Sequence, residues 1–154
     1  MDEIDRNIVV ALQQDGSSGL AELAKVAGLS VSATAERVKR LEERGVIRAW
    51  RADMDPAEVG CPLLAHALVS VAPGREDAAF RSRVQRQEAV LECHAVSGPW
   101  TYLLKLRVAD LPALDAFLNE ELRPLPGVQR VETLVALSTV KESAILPVAP
   151  ATEE

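Results

Sequence analysis

The chain contains few of the residues that build catalytic, stacking or cross-linked sites. Of its 154 residues, five are aromatic, two are cysteine and two are histidine. Two cysteines are too few for a disulfide framework, so we expect reduced thiols. With two histidines and no phosphate-cradling glycine loop, the sequence offers little for acid–base catalysis, and we predict no enzyme, no catalytic residue and no cofactor.

Long apolar runs are also missing. Although 48% of the residues are hydrophobic, no uninterrupted run reaches the roughly 18 residues of a membrane span. The first residues, MDEIDR, are acidic and do not resemble a secretory leader. We therefore expect a soluble, cytoplasmic protein without a membrane partner.

Positive charge is scarce except in one segment. The net charge is −6, yet residues 30–51 hold six basic and three acidic side chains, a local charge of +3. The other 11 basic and 20 acidic residues carry −9. A basic segment in an acidic chain marks a candidate surface for nucleic acid.

Periodicity upstream of residue 55 predicts three helices, because apolar residues recur at helical spacing over 4–12, 20–27 and 31–41. Gly28 can take a positive φ in the turn before the third helix, and Ser30 can cap that helix. This is the helix-turn-helix plan, whose second helix enters the DNA major groove. The residues of this helix predicted to face inward are Val31, Ala35, Val38 and Leu41. An ordinary solvated helix with i, i+4 charge pairs is the alternative.

Residues 45–52 alternate in character, with Val46, Arg48 and Trp50 on one side and Ile47 and Arg51 on the other. This period predicts a strand beside the third helix, and hence a winged helix-turn-helix. No aromatic residue lies on the basic helix, so a stacking platform for single strands is missing. Double-stranded DNA is the predicted partner.

Downstream of residue 62 the patterns follow the order βαββαβ, which is the ferredoxin-like plan of an α+β domain. The predicted strands are 63–71, 90–96, 101–108 and 128–137, and the predicted helices are 77–87 and 111–122. Leu111, Leu114, Leu118 and Leu122 are predicted to face inward. Both faces of the first and last strands are apolar, with Val128 and Val131 on opposite sides of the last strand, so we expect a second copy to cover the bare sheet.

A metal site made of Cys61, His66, Cys93 and His94 is weakly supported. In the βαββαβ order the second strand pairs with the third, so a strand would separate His66 from the other two strand residues. We predict no metal site.

The whole chain, from about residue 2 to Lys141, resembles the Lrp/AsnC family of feast/famine transcriptional regulators. The segments that carry the resemblance are DEIDRNIV, LAELAKVAGLSVSATAERVKRLEERGVI, MDPAEVG, VSGPWTYLLKLRVADL and LPGVQRVETLVAL. The resemblance implies an N-terminal winged helix-turn-helix and a C-terminal effector-binding, oligomerising domain called RAM. It also implies dimers that commonly join into octamers.

In the family, the loop between the second and third RAM strands usually reads Gly-x-x-Asp-Tyr and helps form an amino-acid pocket. The corresponding residues here, predicted to bind an effector, are Gly98, Pro99, Trp100, Thr101 and Tyr102. Threonine stands where aspartate is usual, and its hydroxyl can hydrogen-bond an ammonium group but cannot pair with it. We expect an altered ligand preference, and the alternative is that Pro99 and Trp100 only rigidify an oligomer contact.

The predicted domains are the winged helix-turn-helix 1–52, a linker 53–62, the RAM domain 63–141 and a tail 142–154. The predicted DNA-binding residues are Ser30, Ser32, Thr34, Arg37, Lys39, Arg40, Arg44, Arg48 and Arg51. The predicted function is sequence-specific DNA binding modulated by a small effector, an amino acid or a related metabolite. Two alternatives stay open: a ligand-independent architectural repressor, and a haem-pathway decarboxylase built on the same two-domain plan.

Overall fold

The structure of the protein is a computed structural model that describes residues 1–149. The last five residues of the predicted tail lie outside the described residues. The chain forms two compact units. The first comprises residues 1–53 together with the C-terminal segment from Lys141, and the second comprises residues 54–140.

Three helices build the first unit, as the sequence predicts. They are α1 (Glu3–Gln14), α2 (Leu20–Ala27) and α3 (Val31–Glu43). The Asp2 side chain caps α1 by accepting a hydrogen bond from the Asp5 N–H, and Ser30 caps α3 by accepting one from Ala33. Gly28 ends α2 with a φ of 65°, a left-handed conformation that favours glycine. The turn between α2 and α3 therefore forms as predicted.

The core of this unit is small and lies between the three helices. Its buried residues are Ile8, Ala27 and Leu41. The prediction that Val31 faces inward is wrong, because its side chain is 49% exposed. Val31 is the first helical residue of α3, and side chains at that position lean past the helix end, away from the packed stripe. Thr34, fully buried, takes the inward position instead.

The strand predicted over residues 45–52 does not form within the chain. Residues 45–47 make a turn and bends after α3, and residues 48–53 have no regular structure. A strand needs a neighbour to receive its backbone hydrogen bonds, and among residues 1–53 there is none. Ile47 still packs against the helical core, as the alternating pattern suggests.

The second unit has the predicted βαββαβ order. Its strands are β1 (Leu63–Val71), β2 (Val90–Ala95), β3 (Tyr102–Val108) and β4 (Val128–Val135). Its helices are α4 (Arg75–Val84) and α5 (Leu111–Ala116), and α5 continues as a π-helical segment over Phe117–Leu122. The antiparallel sheet has the order β2-β3-β1-β4, so β1 lies at its centre between β3 and β4.

One face of the sheet carries the core of this unit. Alternate residues of β1 and β3 are buried there with the inward side chains of the helices, including Phe80 and Leu122. Leu114 and Leu118 also face inward as predicted, but Leu111 is 59% exposed. Like Val31, it is the first residue of its helix, which explains why the periodic pattern misplaces it.

The other face of the sheet is not covered by the helices of the second unit. Leu64, His66 and Leu68 of β1 lie there, each only partly buried. Val128 and Val131 of β4, predicted to point to opposite faces, both pack against the core. A β-bulge between Ser70 and Val71 shifts the register of β4 by one residue, and a one-residue shift moves a side chain to the opposite face.

The C-terminal segment is held against the first helix by one side chain. The Gln13 Nε2 donates to the Leu146 carbonyl oxygen at 3.1 Å, and the Leu146 N–H donates to the Gln13 Oε1 at 2.8 Å. The described part of the predicted tail is therefore an extended segment that belongs to the first unit.

Gly127→Ala should lower the free energy of unfolding by roughly 2 kcal/mol. Gly127 has a φ of 84°, and an added Cβ would lie 2.3 Å from the Glu76 Cβ. The matched control is Gly16→Ala, whose Cβ would meet the Leu12 carbonyl oxygen at an ordinary 3.8 Å. Urea unfolding at one fixed protein concentration measures both, and equal midpoints for the two variants would contradict the prediction.

Candidate nucleic-acid interface and effector site

The exposed side of α3 and the segment after it form a basic surface. Most of the side chains predicted to contact DNA are exposed: Ser30, Ser32, Lys39, Arg40, Arg44, Arg48 and Arg51. The small hydroxyl residues stand at the N-terminal end of α3 and the basic residues follow. In helix-turn-helix proteins that end of the second helix approaches the base edges.

These basic side chains are loosely held. Arg40 Nε lies 3.3 Å from Glu36 and Lys39 Nζ lies 3.7 Å from Glu43, and all four side chains are more than half exposed. Such i, i+4 pairs contribute only about 0.3–0.5 kcal/mol and are screened by salt. Within residues 1–149, Arg44 and Arg48 form no ion pair. The basic side chains can therefore contact phosphates without first breaking a strong ion pair.

Thr34 does not belong to this surface, and its predicted contact with DNA is wrong. Its side chain is fully buried, and its Oγ1 donates to the Ser30 carbonyl oxygen at 3.0 Å. A threonine whose hydroxyl is satisfied by the preceding turn of the same helix can replace an apolar residue in a core. Thr34 therefore packs α3 against its neighbours.

Arg37 reaches back to the first helix. Its Nη1 lies 2.7 Å from a carboxylate oxygen of Asp2 and 2.7 Å from one of Asp5. The bond from Arg37 helps lower the pKa of Asp2, after the larger effect of the Asp5 N–H, and the two carboxylates raise the pKa of Arg37. Arg37 thus links α3 to the start of α1, which the sequence analysis missed because the partners are more than 30 residues away.

The loop between β2 and β3 carries the predicted effector residues. Gly98 has a φ of 109° and is exposed with Pro99, whereas Trp100 is partly buried. The guanidinium carbon of Arg130 lies 4.3 Å from the centre of the Trp100 ring. This cation–π contact connects the loop to the start of β4.

Thr101 is bound to the end of β1. Its Oγ1 accepts the Val71 N–H at 3.0 Å and lies 3.4 Å from the Val71 carbonyl oxygen. Its own N–H donates to the Val69 carbonyl oxygen at 2.9 Å. The Thr101 hydroxyl is therefore hydrogen-bonded to the backbone at the end of β1, and its contact with an effector stays a prediction.

Tyr102 lies in the core and not on the loop surface. It is 2% exposed, its ring stacks on Phe80 with centroids 4.9 Å apart, and its hydroxyl donates to Asp77 at 2.5 Å. Burial, and then the bond to Asp77, raise the pKa of Tyr102. The Tyr102 hydroxyl, with a smaller effect of Arg81, lowers the pKa of Asp77. Tyr102 is inward because it starts β3 on the helix-covered face.

A shallow cavity of about 190 Å³ lies at the start of β4. The residues that line it are Arg123, Val128, Gln129, Arg130 and Val131. Arg130 belongs both to this cavity and to the contact with Trp100. Sequence reasoning missed Arg123 and Arg130. A local pattern does not show that β4 and the residues before it lie near the loop, since this follows from the pairing of β4 with β1.

The cysteine and histidine residues do not converge. His66 pairs with Lys105 across β1 and β3, whereas Cys93 and His94 pair with β3 from its other side. Within residues 1–149 no group of three or more His, Cys, Asp or Glu side chains is arranged to hold a metal ion. In the same part of the chain, every helix is too short or too polar to cross a membrane.

A helix-turn-helix unit with an exposed basic second helix, joined to a separate α+β domain, is the plan of a DNA-binding regulator. The sequence profile of the AsnC-type helix-turn-helix domain matches residues 1–42, and that of the Lrp/AsnC ligand binding domain matches residues 64–146. The chain belongs to the Lrp/AsnC family of transcriptional regulators. It is a DNA-binding regulator with a ligand-binding domain, as the sequence predicts.

Individual relatives agree with this assignment. The leucine-responsive regulatory protein of Klebsiella pneumoniae is 42% identical over 93% of this chain and 88% of that protein. A transcriptional regulator of Neisseria meningitidis in complex with L-methionine is 30% identical with a TM-score of 0.90, covering 96% of both chains. A feast or famine regulatory protein of M. tuberculosis complexed with L-methionine is 36% identical with a TM-score of 0.86, covering 94% of this chain and 97% of that one.

Tyr102→Phe keeps the ring on Phe80 but removes the hydroxyl bound to Asp77. The lowered pKa of Asp77 means that its contribution to stability is present above its ordinary value of 3.8 and is lost as the pH falls through the lower folded-state value. The variant should therefore unfold at lower urea concentration than the parent near neutral pH, and the gap should shrink as the pH falls below 3.8 and through the lowered pKa of Asp77.

The control for this prediction is a double-mutant cycle with Asp77→Ala. The two substitutions should not add near neutral pH, because each removes the same hydrogen bond. A stability gap of the same size at both pH values would show that the Asp77 carboxylate is not involved.

Proposed function

We propose that residues 1–52 bind double-stranded DNA, that 53–62 connect them to the effector-binding and oligomerising domain 63–141, and that the two functions are coupled through assembly. The observation that carries the proposal is the exposed basic face of α3 in a helix-turn-helix, in a chain whose second domain has a sheet face that its own helices leave uncovered. The chain acts in the cytoplasm as a regulator and catalyses no reaction.

In this proposal Ser32 and Arg40 reach base edges in the major groove, and Lys39, Arg44 and Arg48 contact phosphates. Two copies related by a twofold axis would read half-sites spaced by about one helical turn, roughly 34 Å, or a multiple of it. Arg37 contributes mainly by fixing α3 against α1, since both its carboxylate partners lie on that side.

The uncovered sheet face supports a symmetric dimer. Leu68 and Leu103 meet across β1 and β3, and Leu134 of β4, 53% exposed, lies beside His66. Charged side chains lie among these residues: Lys105 is opposite His66, with its Nζ 3.4 Å from Glu92 Oε1, and Glu132 is opposite Leu68. A face with leucines and charges of both signs can be complementary to itself across a twofold axis. Octamers built from such dimers are a further proposal that rests on the family resemblance.

The effector is proposed to be an amino acid or a related metabolite that binds beside the loop 98–102. Two relatives of known structure have L-methionine bound. The ligand can act only if it binds one assembly state more tightly than another. The occupied hydroxyl of Thr101 supports a second candidate function, a ligand-independent architectural repressor in which Trp100 and Arg130 stabilise assembly.

Arg40→Ala should weaken DNA binding and lower the slope of log K against log salt concentration by about one unit, because one phosphate- or base-directed charge is lost. Fluorescence anisotropy measures this, with duplexes selected from a random library and an unrelated duplex for comparison. The matched control is Arg86→Ala, which removes the same charge from an exposed site of the second unit. Equal slopes for Arg40→Ala and the control would exclude α3 from the interface.

Leu68→Glu should convert the dimer to a monomer, because it places a charge at the centre of the uncovered face opposite Glu132. Light scattering after size exclusion should show the mass halved or lower, with an unchanged circular dichroism spectrum. Leu111→Glu, which adds the same charge at an exposed helix start, should leave the mass unchanged. A dimer that survives Leu68→Glu would place the interface elsewhere.

A further inference from the structure

The cavity at the start of β4 is lined by positive but not by negative side chains. Two of its five lining residues are arginines, and none is acidic. The Arg123 side chain donates to the Asn119 amide oxygen, and within residues 1–149 it forms no ion pair with a carboxylate. The Arg123 guanidinium therefore keeps its full charge and spare donors beside the cavity.

The second arginine lies over an aromatic ring. The Arg130 guanidinium carbon is 4.3 Å from the centre of the Trp100 ring, and within residues 1–149 its carboxylate neighbour is Glu132, at 3.5 Å with both side chains at least half exposed. Such an exposed pair is weak and is readily exchanged for a better acceptor. A guanidinium held by a cation–π contact keeps N–H donors that can bind a carboxylate.

The loop offers no opposite charge. Thr101 replaces the aspartate that is usual in the family, and its hydroxyl is engaged by the Val71 backbone. Asp77, the nearest carboxylate to Tyr102, is bonded to the Tyr102 hydroxyl and to Arg81. An incoming ammonium group therefore finds no carboxylate in the loop, and Glu132 beside it is already paired with Arg130 at 3.5 Å. An incoming carboxylate finds two guanidinium groups.

We propose that this site, formed by Trp100, Arg123 and Arg130, selects a small organic carboxylate through its carboxylate group and does not require an α-ammonium group. The ligand class includes α-keto acids as well as amino acids. The cavity of about 190 Å³ fits only a small metabolite, since drug-sized ligands occupy roughly 300–1,000 Å³. The inference rests on the effector site proposed above and specifies its ligand chemistry.

The experiment compares matched ligands by calorimetry and by Trp100 fluorescence, on the full chain with Trp50→Phe to remove the other indole. The probes are L-leucine and L-methionine, the α-keto acid of each, and isoamylamine, which keeps the leucine side chain and amine but has no carboxylate. We expect Kd values for keto acid and amino acid within about threefold of each other, and isoamylamine weaker by more than roughly tenfold.

Variants assign the carboxylate contact. Arg123→Gln and Arg130→Gln should each weaken binding of the keto acids and amino acids alike, by roughly tenfold or more, because a charge-assisted bidentate pair is lost. Arg86→Gln removes a charge elsewhere on the same unit and should change neither Kd. Parallel measurement of DNA affinity confirms that every variant is folded and active in DNA binding.

Two results would overturn the inference. Amino acids that bind while their keto acids bind roughly tenfold more weakly would show that the ammonium group is recognised. That result leaves effector regulation intact. If no probe binds while DNA binding is retained, the carboxylate site and the effector part of the proposed function both fail, and the architectural repressor is the better description.

Discussion

The position of β1 at the centre of the sheet is the constraint on which the second unit depends. On its buried face, Ala65, Ala67 and Val69 pack against the helices, and each of these small or β-branched residues is fully buried. Its two edges fix the register of β3 and β4. The backbone at its end also anchors the β2–β3 loop, because the Val69 carbonyl oxygen and the Val71 N–H both bind Thr101. The loop that holds the residues of the proposed effector site is thus placed by a central strand of the sheet.

Much of this arrangement is readable from the sequence, and the exceptions have physical reasons. The bounds of β1 agree residue for residue because its alternation is strict and it is bordered by proline and glycine. Val31 and Leu111 are misplaced because the first residue of a helix does not share the orientation of its packed stripe. Thr34, predicted to contact DNA, is buried. Its hydroxyl donates to the Ser30 carbonyl oxygen of the preceding turn, so the side chain can pack in the core as an apolar residue would. The contacts of Arg37, Arg123 and Arg130 depend on long-range pairing, for which a local pattern contains no information.

The charge distribution separates the two functions of the chain. The segment 30–51 is positive within a chain whose net charge is −6. Because exposed charges interact weakly beyond a Debye length of about 8 Å at physiological salt, the acidic remainder does not cancel the attraction of this segment for DNA. It does discourage contact of other surfaces with the duplex. Asp2 and Asp5 pair with Arg37 on the side of α3 that faces α1. The positive charge that stays available to DNA is therefore that of Arg40 and its neighbours on the exposed side of α3.

The replacement of aspartate by Thr101 has two linked consequences. At the end of β1 the Val71 N–H and carbonyl oxygen both face this side chain, so the best partner is a group that accepts and donates at once. A hydroxyl can do both, whereas a carboxylate can only accept and would be repelled by the carbonyl oxygen. The same substitution removes the negative charge that a loop aspartate would provide near Trp100. The charged residues that line the cavity are Arg123 and Arg130, and Glu132 is paired with Arg130 at 3.5 Å. A threonine at this position therefore anchors the loop and adds no negative charge to it.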